Sequence, residues 1–361
     1  MFPFYSNTKI SALDAKFEAQ RIAFAPFAFQ CAYSMRELGI LECVSKAGKI
    51  GASIAEISEE CGIWEYGAQV LAEFGLGSGI LKLASESEPL RYTLGKIGFF
   101  ILQDEMTRVN MDFVQDVCYD GAKFLKDSIK NKKPEGLKVF GKWNTIYEAL
   151  SSLPVPVQKS WFAFDHFYSD IAFPEALPIV FKKAPRRIVD IGGNTAKWAI
   201  AACKYNPDVE VIIADLPGQI QVAKKNAENA GFSERIRFCE TNVLSANPNL
   251  PINADIAWMS QFLDCFSPEE ISCIASKVAA AMPSAELFVL EPLQDMQKFE
   301  ASSYSLQATS LYFTCMANGN SKMYKFAELK NAVEAGGFIL QESWFNLGAN
   351  SYSLLRFKTV R

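Results

Sequence analysis

Histidine is all but missing: His166 is the only one in 361 residues, which excludes metal centres and catalytic schemes that need two. The nine cysteines (Cys31, Cys43, Cys61, Cys118, Cys203, Cys239, Cys265, Cys273 and Cys315) include no CxxC pair. An odd, dispersed set in so long a chain reads as thiols in a reducing compartment, not as a disulfide framework or a zinc site. No apolar run approaches the ~20 residues that span a bilayer. The start, MFPFYSNTKISALDAKFEAQ, lacks the basic segment and apolar core of a secretory leader. The expectation is a soluble, cytoplasmic protein without a membrane partner. A cationic excess is missing too: 36 Lys and Arg stand against 40 Asp and Glu, with pI near 5.4, so no general attraction to nucleic acid exists. Nor does any oxygen-ligand cluster have the spacing of a metal site. What is present is a chain that is 50% hydrophobic and 13% aromatic, enough for a large core and long enough for two domains.

The first ~110 residues carry helical periodicity broken by glycine. Phe24 to Leu41 reads as one apolar helix ending at Leu38-Gly39-Ile40-Leu41. Ser53 with Glu56 three residues on, then Gly62, marks a short helix, and another runs from Glu65 to Phe74. Two short strands follow, Gly79–Leu83 and Arg91–Leu94, joined by Ser85-Glu86-Ser87-Glu88-Pro89. Helix, turn, helix and hairpin is the order of a winged helix. A helical connector from Gly98 to Ile171 is interrupted at Asn131–Pro134 and Leu153–Pro156. From Arg187 the rhythm changes. Apolar strands at Ile188–Ile191, Val209–Ala214, Ile236–Phe238, Ala254–Met259 and Leu287–Leu290 alternate with helices at Thr195–Tyr205, Gly218–Ala230 and Pro268–Met282. That alternation means a parallel sheet covered on both faces. After a helix at Lys325–Ala335, Phe338–Phe345 and Ser351–Phe357 have no helix between them and predict an antiparallel edge hairpin.

The strongest chemical signal is Ile188-Val-Asp-Ile-Gly-Gly-Asn-Thr-Ala196. A strand runs into two glycines where a helix begins, so backbone N–H groups approach a ligand closely. Asp215 ends the next strand, where a carboxylate accepts both hydroxyls of a ribose. Without the GxGxxG spacing that brings backbone against a pyrophosphate, the loop suits a nucleoside ligand such as S-adenosylmethionine better than a dinucleotide. The plain alternative is a glycine turn that binds nothing.

Val189-Asp-Ile-Gly-Gly193, Asp215-Leu-Pro217 and the winged-helix front end together resemble the S-adenosylmethionine-dependent O-methyltransferases of the plant caffeate and bacterial polyketide/phenazine type. Leu38-Gly-Ile40, Tyr92-Thr-Leu-Gly-Lys-Ile-Gly98, the segment Lys132-Lys-Pro134 to Phe140-Gly141, and Ala335-Gly-Gly-Phe338 extend the resemblance over most of the chain. It implies a mainly helical winged-helix dimerisation domain (1–110), a helical connector lining the acceptor pocket (111–180), and a doubly wound, Rossmann-like class I methyltransferase domain (181–361). A homodimer and a small-molecule methyl acceptor are its implied partners. The resemblance assigns cofactor contacts to Asp190, Gly192, Gly193, Asp215, Leu216, Asn242, Val243 and Phe266.

The departures from the family pattern are specific. In its D-x-G-G-G-x-G loop the third and fourth glycines are Asn194 and Ala196 here. Asn242 replaces the aspartate that holds the adenine amino group. In L-H-D-W-S-D-E, matched by Leu263-Asp-Cys-Phe-Ser-Pro-Glu269, the catalytic histidine is Asp264 and the stacking aromatic is Phe266. The glutamate that orients the family base matches Glu291, and a second such glutamate is Met323. Asp264 reads as a base, as a group that only orients an acidic acceptor, or as a passive residue; for the first, burial among Phe262, Leu263 and Phe266, with Glu291 close by, is expected to raise its pKa, and His166, in Trp161-Phe-Ala-Phe-Asp-His-Phe-Tyr168, is the reserve base. Trp161, Phe164 and Tyr168 recur at helical spacing and read equally as acceptor wall or as buried stripe. The function expected is methyl transfer to oxygen of a hydrophobic aromatic or polyene acceptor. Its rivals are a degenerate methyltransferase-like scaffold and a winged-helix regulator, the latter opposed by a recognition helix, residues 63–79, without Lys or Arg.

Overall fold

The computed structural model describes residues 4–5, 10–85 and 87–360, without the side chains of residues 168 and 169. Glu86 and the side chain of Tyr168, both part of the sequence reading, therefore lie outside the described residues. Two compact units divide between Gln115 and Asp116.

The first unit contains α1 (Ala12–Ala23), α2 (Ala25–Glu37), α3 (Ile40–Ala47), α4 (Ile54–Cys61), α5 (Glu65–Gly77), β1 (Leu81–Ser85), β2 (Arg91–Leu94), α6 (Lys96–Gln103) and α7 (Glu105–Phe113). The helix expected from Phe24 to Leu41 is shorter and restarts at Ala25, because Pro26 has no N–H to continue the helix before it. Gly39, at φ +79°, then turns the chain into α3, so Ile40 and Leu41, expected to end a turn, begin a helix instead. Ser53 and Glu56 form the expected capping box, and Gly62 closes α4 in the left-handed conformation. Met35, Ile40, Leu41, Val44 and Ile57 form this unit's fully buried core. Along α1 and α2, Leu13, Phe17, Ile22, Phe24 and Phe27 are all more than half exposed.

The second unit opens with α8 (Tyr119–Ala122), α9 (Leu125–Asn131), α10 (Ile146–Ala149), α11 (Val155–Ser169) and α12 (Phe173–Val180). It then alternates β3 (Arg187–Ile191), α13 (Lys197–Tyr205), β4 (Glu210–Asp215), α14 (Pro217–Asn229), β5 (Ile236–Glu240), β6 (Ile256–Ser260), α15 (Pro268–Ala281) and β7 (Glu286–Glu291). Helices α16 (Glu300–Tyr312) and α17 (Phe326–Ala335) precede β8 (Phe338–Leu347) and β9 (Tyr352–Thr359). The seven-stranded order is β5-β4-β3-β6-β7-β9-β8. β3, β4, β5, β6 and β7 run parallel, while β9 pairs antiparallel with both β7 and β8. The predicted hairpin thus inserts its second strand against β7 and leaves β8 at the edge. The chain winds outward in both directions from β3, and the crevice at the carboxyl ends of β3, β4 and β6 is where such a sheet takes ligands. Beneath it the indoles of Trp198 and Trp258 stack 3.7 Å apart and nearly parallel. Among the described residues no helix is long and apolar enough to cross a membrane.

Candidate active site

β3 delivers Asp190 and Ile191 into the loop Gly192–Ala196. Gly192 sits at φ +76°, and a Cβ there would lie 2.2 Å from the Phe262 ring. Both its backbone angle and its neighbour demand glycine. Asn194 (φ +45°) and Ala196 (φ +68°) keep the left-handed angles that their substitution for glycine put in question. Asp215, at the end of β4, accepts the Asn194 N–H at 2.8 Å through Oδ2 and the Leu216 N–H at 2.7 Å through Oδ1. Each oxygen keeps a lone pair for a further donor, as a ribose diol requires. Burial pushes the Asp215 carboxyl up to about 6. Asp190 is deeper: burial, and then the nearby Asp215, push it up to about 8. Its Oδ2 and the Thr241 hydroxyl are buried without a hydrogen-bond partner among the described residues. Orphaned polar atoms around a glycine loop fit a polar nucleoside ligand, since each unmet group otherwise carries its full desolvation cost. Asn242 is exposed, and its Oδ1 already accepts the Leu244 N–H at 2.9 Å, so the adenine edge would share that oxygen. Val243 is buried beside it, and Phe266 meets Phe262 edge-on at 4.8 Å.

Asp264 lies in the single turn Leu263–Cys265 that follows β6 and is 3% exposed. Burial pushes its carboxyl up to about 7, and the Cys265 thiol donates to Oδ1 at 3.5 Å. Glu291, at the end of β7, accepts the N–H groups of Phe262 (2.9 Å) and Leu263 (2.8 Å) through one oxygen, while its Oε2 is buried and unpaired among the described residues. It therefore holds the backbone of the turn that carries Asp264. The like-charge repulsion expected to lift Asp264 instead adds to burial at Glu291, which is raised well above the carboxylate range.

On α11, His166 is half-buried, with Nε2 3.4 Å from the Thr195 hydroxyl and Nδ1 3.9 Å from Asp170. Burial lowers its pKa, so it is a neutral imidazole at pH 7. Trp161 and Phe164 are buried and also line the cavity, so the buried stripe and the cavity wall share these residues; the Trp161 indole donates to the Tyr312 hydroxyl at 2.8 Å. Met323 puts a buried thioether into this wall where the family pattern has glutamate. Every residue read from the sequence as a site residue lines one cavity of about 400 Å³, except Glu291, which stands behind it. Asp165, Gln261, Tyr147 and Tyr312 also line it and were not singled out. Asp165 stood in the quoted aromatic run, and a single acid there carries no pattern of its own.

The O-methyltransferase domain profile matches residues 123–339, and a Dimerisation2-like domain matches residues 16–87. The chain belongs to this methyltransferase family. The family uses S-adenosylmethionine, and the glycine loop with Asp215 is where this chain would hold it. The chain is 23% identical to an L-tyrosine C(3)-methyltransferase of Streptomyces lavendulae over 322 residues, 88% of this chain and 85% of that one. It is 22% identical to a demethylspheroidene O-methyltransferase of Rhodobacter capsulatus over 61% of this chain and 51% of the relative. Among solved structures, the mitomycin 7-O-methyltransferase MmcR superposes with a TM-score of 0.72 at 15% identity, covering 96% of this chain and 98% of that one. The S-adenosylmethionine-dependent methyltransferase SibL superposes at 0.69 with 20% identity, over 94% and 98%.

Proposed function

We propose that this methyltransferase acts on an oxygen of a hydrophobic, aromatic or polyene acceptor, as a cytoplasmic homodimer of winged-helix (1–110), connector (111–180) and catalytic (181–361) segments. The observation that supports it is one cavity holding Asp215, fixed by two backbone N–H groups, together with Asp264 among Trp161, Phe164 and Phe266. Nine free thiols accord with a reducing compartment.

S-adenosylmethionine supplies an electrophilic methyl group on a sulfonium. The protein's part is to place the acceptor atom in line and to take its proton. Gly192 and Gly193 admit the ligand to the backbone, Asp215 takes the ribose hydroxyls, Asp190 faces it with an unpaired oxygen, Leu216 and Val243 flank the base, Asn242 takes its edge and Phe266 stacks on it. An ordinary carboxylate, with pKa about 4, is a poor base for a phenol near 10. At about 7, Asp264 halves that gap and is half ionised at neutral pH. Glu291 fixes the turn and so the direction of the Asp264 carboxylate. His166 is the second base within reach of the cavity.

The name of the Streptomyces relative brings a second reading, methylation at carbon. A phenolate is nucleophilic at oxygen and at the ring carbon beside it, so Asp264 serves either reaction by the same deprotonation. Turnover with labelled cofactor and a phenolic acceptor, followed by NMR of the product, separates the two. Across pH, the wild type should gain rate as Asp264 ionises, with a midpoint near 7. Asp264→Asn should lose about 10²-fold or more and that acidic limb with it, and His166→Ala much less. The reverse order would make His166 the base.

A further inference from the structure

Of the non-glycine residues with positive φ in the second unit, two share a partner. Asn194 in the loop after β3 (φ +45°) and Gln261 after β6 (φ +46°) both hold left-handed backbone angles, a conformation that strains a side-chain-bearing residue more than glycine. Both send their side-chain amides to the same carboxylate. Asn194 Nδ2 donates to Asp165 Oδ2 at 3.1 Å, and Gln261 Nε2 donates to Asp165 Oδ1 at 3.1 Å. The network continues on both sides. Tyr352 of β9 donates its hydroxyl to Gln261 Oε1 at 2.6 Å, and the Asn194 N–H goes to Asp215. An unbroken series of hydrogen bonds thus crosses the cavity from β9 through α11 to the carboxylate assigned to the ribose.

We propose that Asp165 is a positioning residue that clamps the Asn194 and Gln261 turns in their left-handed conformations, so that cofactor affinity depends on the acceptor-lining helix α11. Glycine adopts a left-handed angle without help, whereas asparagine needs something to offset its strain, and the bond to Asp165 does that. The clamp compensates for the glycine missing from the loop, and it makes one element serve both halves of the site. The inference rests on the S-adenosylmethionine site described above.

The test is the affinity for S-adenosylhomocysteine, measured by calorimetry on the full chain with Tm recorded for each variant. Asp165→Asn turns one accepting oxygen into a donor facing a donor and should weaken binding about tenfold. Asn194→Gly holds the left-handed turn and the N–H to Asp215 without help, so by itself it should bind within about twofold of wild type, and beside it Asp165→Asn should cost clearly less than in the wild type. The exchange Asp165→Asn with Asn194→Asp restores a carboxylate–amide pair at the same net charge. It should return the affinity to within about threefold of wild type, which a general loss of structure would not do. The clamp is overturned if Asp165→Asn binds within about twofold of wild type, if the exchange is no tighter than Asp165→Asn alone, or if Asp165→Asn costs as much beside Asn194→Gly as in the wild type. Should Asp165→Asn not fold, Asn194→Ala decides: it keeps the strained backbone without the amide and should weaken binding about fivefold, and binding as tight as wild type overturns the clamp. Wild-type protein that takes up no S-adenosylhomocysteine overturns the cofactor site itself.

Discussion

Asp215 shows how one side chain is prepared for its work. Both oxygens already accept a backbone N–H, at 2.8 and 2.7 Å, so the carboxylate does not reorganise when two more donors arrive. Asp215→Ala should therefore weaken S-adenosylhomocysteine by roughly 2 kcal/mol, about thirtyfold in calorimetry. Asn242→Ala should cost less, because the Asn242 oxygen already accepts the Leu244 N–H. The loop glycines and Asp215 were legible in the sequence because a strand, a tight turn and a carboxylate recur at fixed places in this kind of sheet. Asp165 and Gln261 were not. Their role comes from meeting across the fold, 96 positions apart in the chain, where neither carries a local sign of it.

At the level of elements, the turn Leu263–Cys265 is held by Glu291 rather than by its own sequence. Two N–H groups that would otherwise be buried unmet end on one carboxyl oxygen. Glu291→Ala should cost about 2–3 kcal/mol of stability in a denaturant titration and release Asp264 from its place. Glu291→Gln keeps that accepting oxygen and suits a group already biased toward its neutral form, so it should unfold close to wild type. Strands and helices from Arg187 onward were legible to within about two or three residues, since apolar strands and amphipathic helices have unlike periods. The helices α1, α3 and α16 were not. α3 is short and hides behind Gly39, and α16, with its Ser- and Thr-rich face, has no clear apolar stripe.

For the whole molecule, Asp165, Asp190 and Asp264 titrate at about 7, 8 and 7 when folded, against about 4 unfolded. A carboxyl whose folded pKa is raised contributes stability that is fully present below the unfolded value and is lost as pH rises through the folded one. The ligand-free protein should therefore lose at least about 3 °C in Tm between pH 5.5 and 8.5, and Asp190→Asn should flatten part of that fall. The apolar face of α1 and α2, with Leu13 at 81% and Phe27 at 73% exposure, is a large area to leave in water. Light scattering at micromolar concentration should give two chains per particle, and Leu13→Glu with Phe27→Glu should give one. The placement of β9 also bears on the order in which the molecule is made. Tyr352, Leu354, Leu355 and Phe357 are fully buried within the sheet, and the Tyr352 hydroxyl reaches the Gln261 turn. During synthesis the glycine loop and Asp215 emerge from the ribosome well over a hundred residues before β9. The nascent protein carries its ligand-binding motifs through all of that synthesis without the strand that braces them, which in the finished sheet lies between β7 and β8.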